Sequence, residues 1–90
     1  MNAYLITFDL INPGQNYDLI IEKIEGIGRF CKCLKNVWIV ESTQTSLEVR
    51  NFLMQFLDEN DLILVTNVTN NTAWSLHTEN SNCLKNFFNV

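Results

Sequence analysis

The residue that first suggests chemistry is Asp9, the carboxylate at the end of the apolar run in LITFDLINPG. A carboxylate at the end of a strand can take part in chemistry. It can also cap the strand end by bonding the turn at Asn12-Pro13-Gly14. One carboxylate alone does not make a catalytic constellation, so both interpretations stay open until the elements around Asp9 are considered.

A second group of candidates is basic. Arg29, Lys32 and Lys35 supply three of the six basic residues of the chain. Clustered Lys and Arg neutralise phosphate backbones, whereas a net charge of −4 argues against a protein that binds nucleic acid along its whole surface. This run is either the solvated face of a strand or hairpin, or the one place where the chain contacts a nucleic-acid backbone.

Other chemistry-bearing residues favour ordinary structure. His77 is the only histidine and has no evident Ser or Cys partner, so no hydrolytic triad is predicted. Asp58, Glu59 and Asp61 have the charge of a calcium loop without its spacing or its glycine, which indicates a solvated turn.

The three cysteines, Cys31, Cys33 and Cys83, form no CxxC motif. Their number and spacing favour neither a zinc site nor a disulfide framework. On a strand, Cys31 and Cys33 would point to the same face. The sequence therefore predicts half-buried free thiols.

Composition sets the class of protein. Ninety residues form one domain, and 47% of them are hydrophobic while 18% are charged. That is rich in apolar residues for a lone small domain, so we expect part of the apolar surface to be buried against a partner. The opening MNAYLITFDL carries no readable signal peptide, and the longest apolar runs are too short to cross a bilayer. A cytoplasmic protein without membrane association is expected.

The elements that must position these residues follow from periodicity. Alternating residues predict strands and i, i+3, i+4 spacing predicts helices, and Thr45 with Glu48 matches a capping box. The predicted elements are a strand at 3–10, a helix capped by Asn16 and ended by Gly26 and Gly28, strands at 29–34 and 36–41, a helix from Thr45 to about Leu57, and a strand at Leu62–Val68.

This order predicts an α+β, ferredoxin-like β-α-β-β-α-β fold, with a four-stranded antiparallel sheet and two helices on one face. We expect residues 1–68 to form this core and residues 69–90 to form a C-terminal extension. In the extension, Trp74 and Leu76 could add a short fifth strand or pack against an edge, and Cys83 to Phe88 could form a final helical turn, packing on the core or on a partner.

Both faces of the central strands are apolar, although the two helices cover one face only. The simplest second layer is another copy of the chain, so we expect a homodimer through the open face. Alternation puts Leu5, Thr7 and Asp9 on that open face, opposite Tyr4, Ile6 and Phe8. In such a dimer two copies of Asp9 could lie close together.

The segments YLITFDL, NPGQNYDLI, VWIVE, Val49-Arg50 and DLILV, in this order, resemble the SinR-like family, whose members are small relatives of the CRISPR-associated protein Two family. The resemblance covers residues 3 to 68. It implies a ferredoxin-like homodimer in which Asp9 matches the aspartate proposed as the catalytic Mg²⁺ ligand of a nuclease site at the dimer interface. Two carboxylates could there hold one Mg²⁺ that activates a water.

The chain also departs from that family. Members with nucleic-acid roles carry Arg or Lys soon after the aspartate, whereas Ile11 to Asp18 contains no basic residue. The function expected from the sequence is a nucleic-acid-associated or defence-linked scaffold with weak or vestigial metal-dependent nuclease chemistry. The alternatives are an active Mg²⁺-dependent endoribonuclease acting on RNA, and a non-catalytic module that binds a partner protein or a small nucleotide.

Overall fold

The computed structural model describes residues 1–12, 14 and 16–90. The expected turn at Asn12-Pro13-Gly14 therefore lies partly outside the described residues. The elements, in chain order, are β1 (Asn2–Asp9), α1 (Tyr17–Glu25), β2 (Phe30–Leu34), β3 (Val37–Ser42), α2 (Ser46–Met54), β4 (Leu62–Val68) and α3 (Thr78–Phe88).

The first two helices begin where the capping residues predict. The Asn16 side chain accepts a hydrogen bond from the Leu19 backbone N–H at 3.3 Å, and Gly26 caps the other end of α1. Thr45 and Glu48 form the predicted capping box, with bonds of 3.0 and 3.1 Å that satisfy backbone donors at the start of α2. Helix α2 ends at Met54, before the predicted Leu57.

The strands form one antiparallel sheet in the order β2-β3-β1-β4. Strand β1 lies in the middle, and the register places Leu5 opposite Ile39 of β3 and Thr66 of β4. The structure is thus a small α+β fold with a four-stranded antiparallel sheet and three helices.

One face of the sheet packs against α1 and α2 and forms the first core. The predicted set Tyr4, Ile6 and Phe8 lies in it and is buried. Trp38 is completely buried there, and its indole N–H donates a hydrogen bond of 2.9 Å to the Glu25 carboxylate. The remaining buried members of this core are Ile20, Ile24, Val40, Val49 and Leu53.

The opposite face carries a second core, and residues 69–90 supply much of it. Trp74 and Leu76 form no fifth strand but pack against this face, and the helix beyond them starts at Thr78, well before the predicted helical turn at Cys83. Leu84 and Phe87 of α3 are buried against the sheet. The chain therefore covers part of its own open face with residues 69–90, which were expected to pack on the core or on a partner, whereas the apolar strands predict a second copy as the simplest cover.

The prediction that Cys31 is an ordinary free thiol is wrong. Cys31 of β2 and Cys83 of α3 form a disulfide, with their Cα atoms 5.9 Å apart. The physical reason is that α3 packs along β2 and brings together two residues that lie 52 positions apart in the sequence. Cys33 stays a free, buried thiol on the same face as Cys31, as the alternation predicts.

In the part of the chain that the structure describes, no helix has both the length and the apolar character needed to cross a membrane.

Candidate functional site

Asp9 is the last residue of β1 and its side chain is exposed. The register pairs it with Leu62, and it pairs Thr7 with Leu64, at the first half of β4. Because directly opposed residues of antiparallel strands share a face, these four side chains lie together on the face that α1 and α2 do not cover.

Helix α3 leaves this corner of the sheet uncovered. We call the uncovered set Thr7, Asp9, Leu62, Leu64 and Thr66 the β4 strip. Leu62 and Leu64 are each 58% exposed, and the strip borders a shallow depression of about 160 Å³. Two exposed leucines beside a carboxylate make an apolar patch with one charge at its end.

The loop after β1 is held by Asp61, not by Asp9. Asp61 accepts hydrogen bonds from the backbone N–H of Ile11 at 2.9 Å and of Asp58 at 2.8 Å. The side-chain amides of Asn12 and Asn60 bond each other at 3.2 and 3.3 Å. Residues 58–61 are a turn, as predicted, and this turn also holds the loop after β1 through hydrogen bonds to Ile11 and Asn12.

The capping role considered for Asp9 therefore belongs to Asp61. No hydrogen bond or ion pair joins the Asp9 carboxylate to any of the described residues. The sequence offered a signal for Asp61, because this carboxylate directly precedes β4. In an antiparallel pair the start of β4 lies beside the end of β1, so Asp61 can reach the backbone that follows β1.

The donor set of one chain does not make a metal site. Within residues 1–12, 14 and 16–90, no group of three or more His, Cys, Asp and Glu side chains is arranged to hold a metal ion. Asp9 is a lone carboxylate, and Mg²⁺ is typically held by one or two carboxylates together with waters and substrate phosphates. A second carboxylate at this corner would have to come from a second copy of the chain.

The three predicted basic residues have different surroundings. Arg29 is engaged within the protein: it forms a two-bonded ion pair with Glu41 at 2.9 and 3.1 Å, and it donates to the Phe87 carbonyl at 2.9 Å. Its guanidinium also lies 4.7 Å from the centre of the Phe87 ring. The sequence held a signal for this pair, because a hairpin turning at Lys35 places positions 29 and 41 opposite each other.

Lys32 lies in the middle of β2, and Lys35 lies just beyond the end of that strand. The Lys32 ammonium lies 5.3 Å from the centre of the Trp38 ring, and Lys35 lies in the β2–β3 turn. Both residues line an open groove of about 720 Å³ beside His77 and Asn80, where α3 begins. This groove brings together Lys32, Lys35 and the only histidine of an acidic chain.

The free thiol next to the disulfide is shielded. Burial raises the pKa of the Cys33 thiol above its usual range, and a hydrogen bond with the Ile39 backbone has a smaller, opposite effect on that pKa. Since the thiolate is the reactive form, Cys33 is a poor nucleophile in the folded protein.

The fold and the site together define a small α+β protein with an exposed apolar strip and a carboxylate at one corner of its sheet. The same sheet carries a disulfide-linked helix on the remainder of that face. In comparisons with known proteins, no family model matches the chain, and no solved structure matches it.

Proposed function

We propose that this protein is a ferredoxin-like scaffold that acts as a homodimer and associates with nucleic acid, in the manner of the SinR-like relatives of the CRISPR-associated protein Two family. The β4 strip is the contact surface between the two copies. The groove that Lys32 and Lys35 line is the contact for the nucleic-acid backbone. The observation that carries the proposal is the pair of exposed leucines, Leu62 and Leu64, beside Asp9.

Several features support a second copy as the cover of the β4 strip. Exposed leucines that lie side by side on a sheet are costly in water, at about 25 cal/mol per Å² of apolar surface. In a two-fold dimer the same patch meets itself, so each copy supplies the apolar surface that the other needs. The edge position of β4 leaves this part of the sheet accessible.

The dimer is tested by exchanging a leucine for a lysine in two places. Leu64→Lys puts a charge in the strip. Leu47→Lys is the matched control, since Leu47 is 56% exposed on α2, away from the strip. We expect the wild-type protein and Leu47→Lys to sediment as dimers at micromolar concentration and Leu64→Lys to sediment as a folded monomer. A wild-type monomer, or equal behaviour of the two variants, would contradict the proposed interface.

Nucleic-acid association is supported by Lys32 and Lys35, which line one groove on a chain with a net charge of −4. Lys35→Glu should weaken the binding of a labelled single strand, and the wild-type affinity should fall steeply as salt is raised. Lys85→Glu, an exposed position on α3, is the control for charge reversal alone. If Lys35→Glu binds as tightly as the control, the groove is not the contact.

Mg²⁺-dependent nuclease activity is the second candidate, and it is favoured by the exposed Asp9 carboxylate, which has no partner among the described residues. In the proposed dimer two such carboxylates would approach each other, and like charges at short range are stabilised by a bound cation. A Mg²⁺ there would supply an activated water. Cleavage of RNA or DNA that needs Mg²⁺ or Mn²⁺ and is lost in a dimeric Asp9→Asn variant would establish this enzyme. If no such cleavage is found, the non-catalytic scaffold remains the proposed function.

A further inference from the structure

The C-terminal helix covers apolar surface that belongs to the same sheet face as the β4 strip. Leu84 and Phe87 of α3 pack with Ile39 and Cys31, and Leu5 is partly buried against the same cluster. The register continues from this covered part to the uncovered part without a break, since Ile39 lies opposite Leu5 and Leu5 lies opposite Thr66. On this face of the sheet, α3 thus covers one part, and the β4 strip is the part that stays exposed.

The Cys31–Cys83 disulfide joins α3 to the sheet. Cys31 is buried in β2, whereas Cys83 on α3 is only partly buried. With three cysteines the chain can form at most one intramolecular disulfide, so this bond is the one covalent tie of its kind between α3 and the sheet. Apolar packing also holds α3 on β2, and Arg29, directly before β2, donates a hydrogen bond to the Phe87 carbonyl and lies over the Phe87 ring.

We propose that the Cys31–Cys83 disulfide is a redox latch: a dithiol reductant opens it, α3 leaves the sheet, and a second copy of this chain packs on the face that α3 vacates. A disulfide that ties a helix to a sheet can serve as such a device wherever it meets a reducing compartment, because disulfides there are usually transient and redox-sensing. The proposal rests on the homodimer of the proposed function and adds its regulation.

The chemistry is a thiol–disulfide exchange with the dithiol as the source of two electrons. One thiolate of the reductant attacks the partly exposed Cys83 sulfur, the Cys31–Cys83 bond breaks, and Cys31 leaves as a thiolate that takes up a proton. The second reductant thiol then displaces Cys83, which is released as a thiol, while the reductant becomes a disulfide. Cys33 takes no part, since its buried thiol is poorly ionised.

A second copy is the occupant that the geometry favours. When α3 leaves, the apolar residues around Leu5 and Ile39 become continuous with Leu62 and Leu64 of the strip. A contiguous exposed apolar face marks a protein contact. The β4 strip at its edge is already the proposed site of a second copy. Reduction therefore extends an existing contact, so the dimer becomes tighter.

The test uses the full chain, oxidised and then reduced with dithiothreitol, and two matched cysteine variants. Cys83→Ala removes the latch, and Cys33→Ala keeps it. Hydrogen exchange reports the opening of α3 against β1 as an internal reference, and analytical ultracentrifugation gives the dimer dissociation constant. We expect reduction to speed exchange in α3 by about tenfold or more, with β1 unchanged, and to lower the dissociation constant by about tenfold, a change of about 1.4 kcal/mol.

The variants should separate the possible outcomes. Cys83→Ala should behave as the reduced protein with or without dithiothreitol, and Cys33→Ala should respond as the wild type does. An oxidised dimer whose α3 exchange and dissociation constant ignore reduction would overturn the latch and leave the proposed function standing. A protein that stays monomeric while α3 opens would overturn both the proposed dimer and the second copy as occupant. If Cys83→Ala does not fold, the reduced wild-type protein decides.

Discussion

Arg29 and Glu41 face each other at the open end of the β2–β3 hairpin and share two hydrogen bonds, of 2.9 Å from Nε and 3.1 Å from Nη2. The same guanidinium donates to the Phe87 carbonyl at the C-terminal end of α3. Arg29, directly before β2, therefore connects the start of that strand with β3 and α3. The sequence suggests Arg29 as part of a basic run that contacts nucleic acid. In the structure its guanidinium bonds Glu41 and the Phe87 carbonyl and so links three parts of the fold.

We expect Arg29→Met to lower the free energy of unfolding by about 1 to 2 kcal/mol. An exposed ion pair alone contributes at most about 1 kcal/mol, and the Arg29 side chain is 53% exposed. The bond to the Phe87 carbonyl and the contact with its ring add to that. Urea denaturation measures the change. Lys35→Met removes the same charge from an exposed turn and should change stability by less than about 0.5 kcal/mol; equal losses would refute this role.

Asp61 should matter more than its neighbours in the same acidic turn. Asp61→Ala leaves the backbone N–H groups of Ile11 and Asp58 to water in place of their carboxylate acceptor, which should lower the free energy of unfolding by about 1 kcal/mol. Asp61→Asn keeps one acceptor and should lose less. Glu59→Ala, at an exposed position, should be close to neutral. Thermal or urea denaturation of the three variants gives the ranking, and a neutral Asp61→Ala would contradict it.

Much of the core could be predicted because its signals are local. Asn16, Gly26 and the Thr45–Glu48 capping box mark helix ends through their own hydrogen bonds, and the alternation around Ile6 assigns each residue of β1 to a face. These signals depend on neighbours no more than about four positions away. The four antiparallel strands and the two helices between them follow from the order of such segments.

The C-terminal part could not be predicted in the same way because its structure depends on distant partners. Trp74 and Leu76 lie in a segment without clear periodicity, and their burial comes from the sheet below them. Cys83 has no nearby cysteine, so its pairing with Cys31 becomes visible only after α3 is placed over β2. The homodimer and the metal-binding role of Asp9 stay predictions, because a second copy would have to supply the rest of that site.

The buried Cys33 thiol should make stability depend on pH in the alkaline range. Its pKa is raised in the folded protein from an ordinary value of 9.0, mainly by burial. The folded state then holds the proton more tightly than the unfolded state, so the stability is fully present below about pH 9 and falls as pH rises toward the folded pKa. The free energy of unfolding of wild-type protein should fall more steeply above that pH than that of Cys33→Ala, with which it shares all other titrating groups. Parallel curves would contradict this.

The two faces of the sheet should lose their packing independently. Leu53 on α2 and Leu84 on α3 are both fully buried leucines, but they belong to separate cores on opposite faces. Leu→Ala at such positions costs about 2 to 5 kcal/mol. Leu53→Ala should lower the protection of β1 amides from hydrogen exchange, because its core includes β1, α1 and β3. Leu84→Ala should lower the protection of α3 amides and affect β1 less, since Ala3 and Leu5 of β1 are only partly buried against the second core. The buried β1 residues Tyr4, Ile6 and Phe8 keep their packing in the first core. If Leu84→Ala lowers β1 protection as much as Leu53→Ala does, the two cores unfold as one unit.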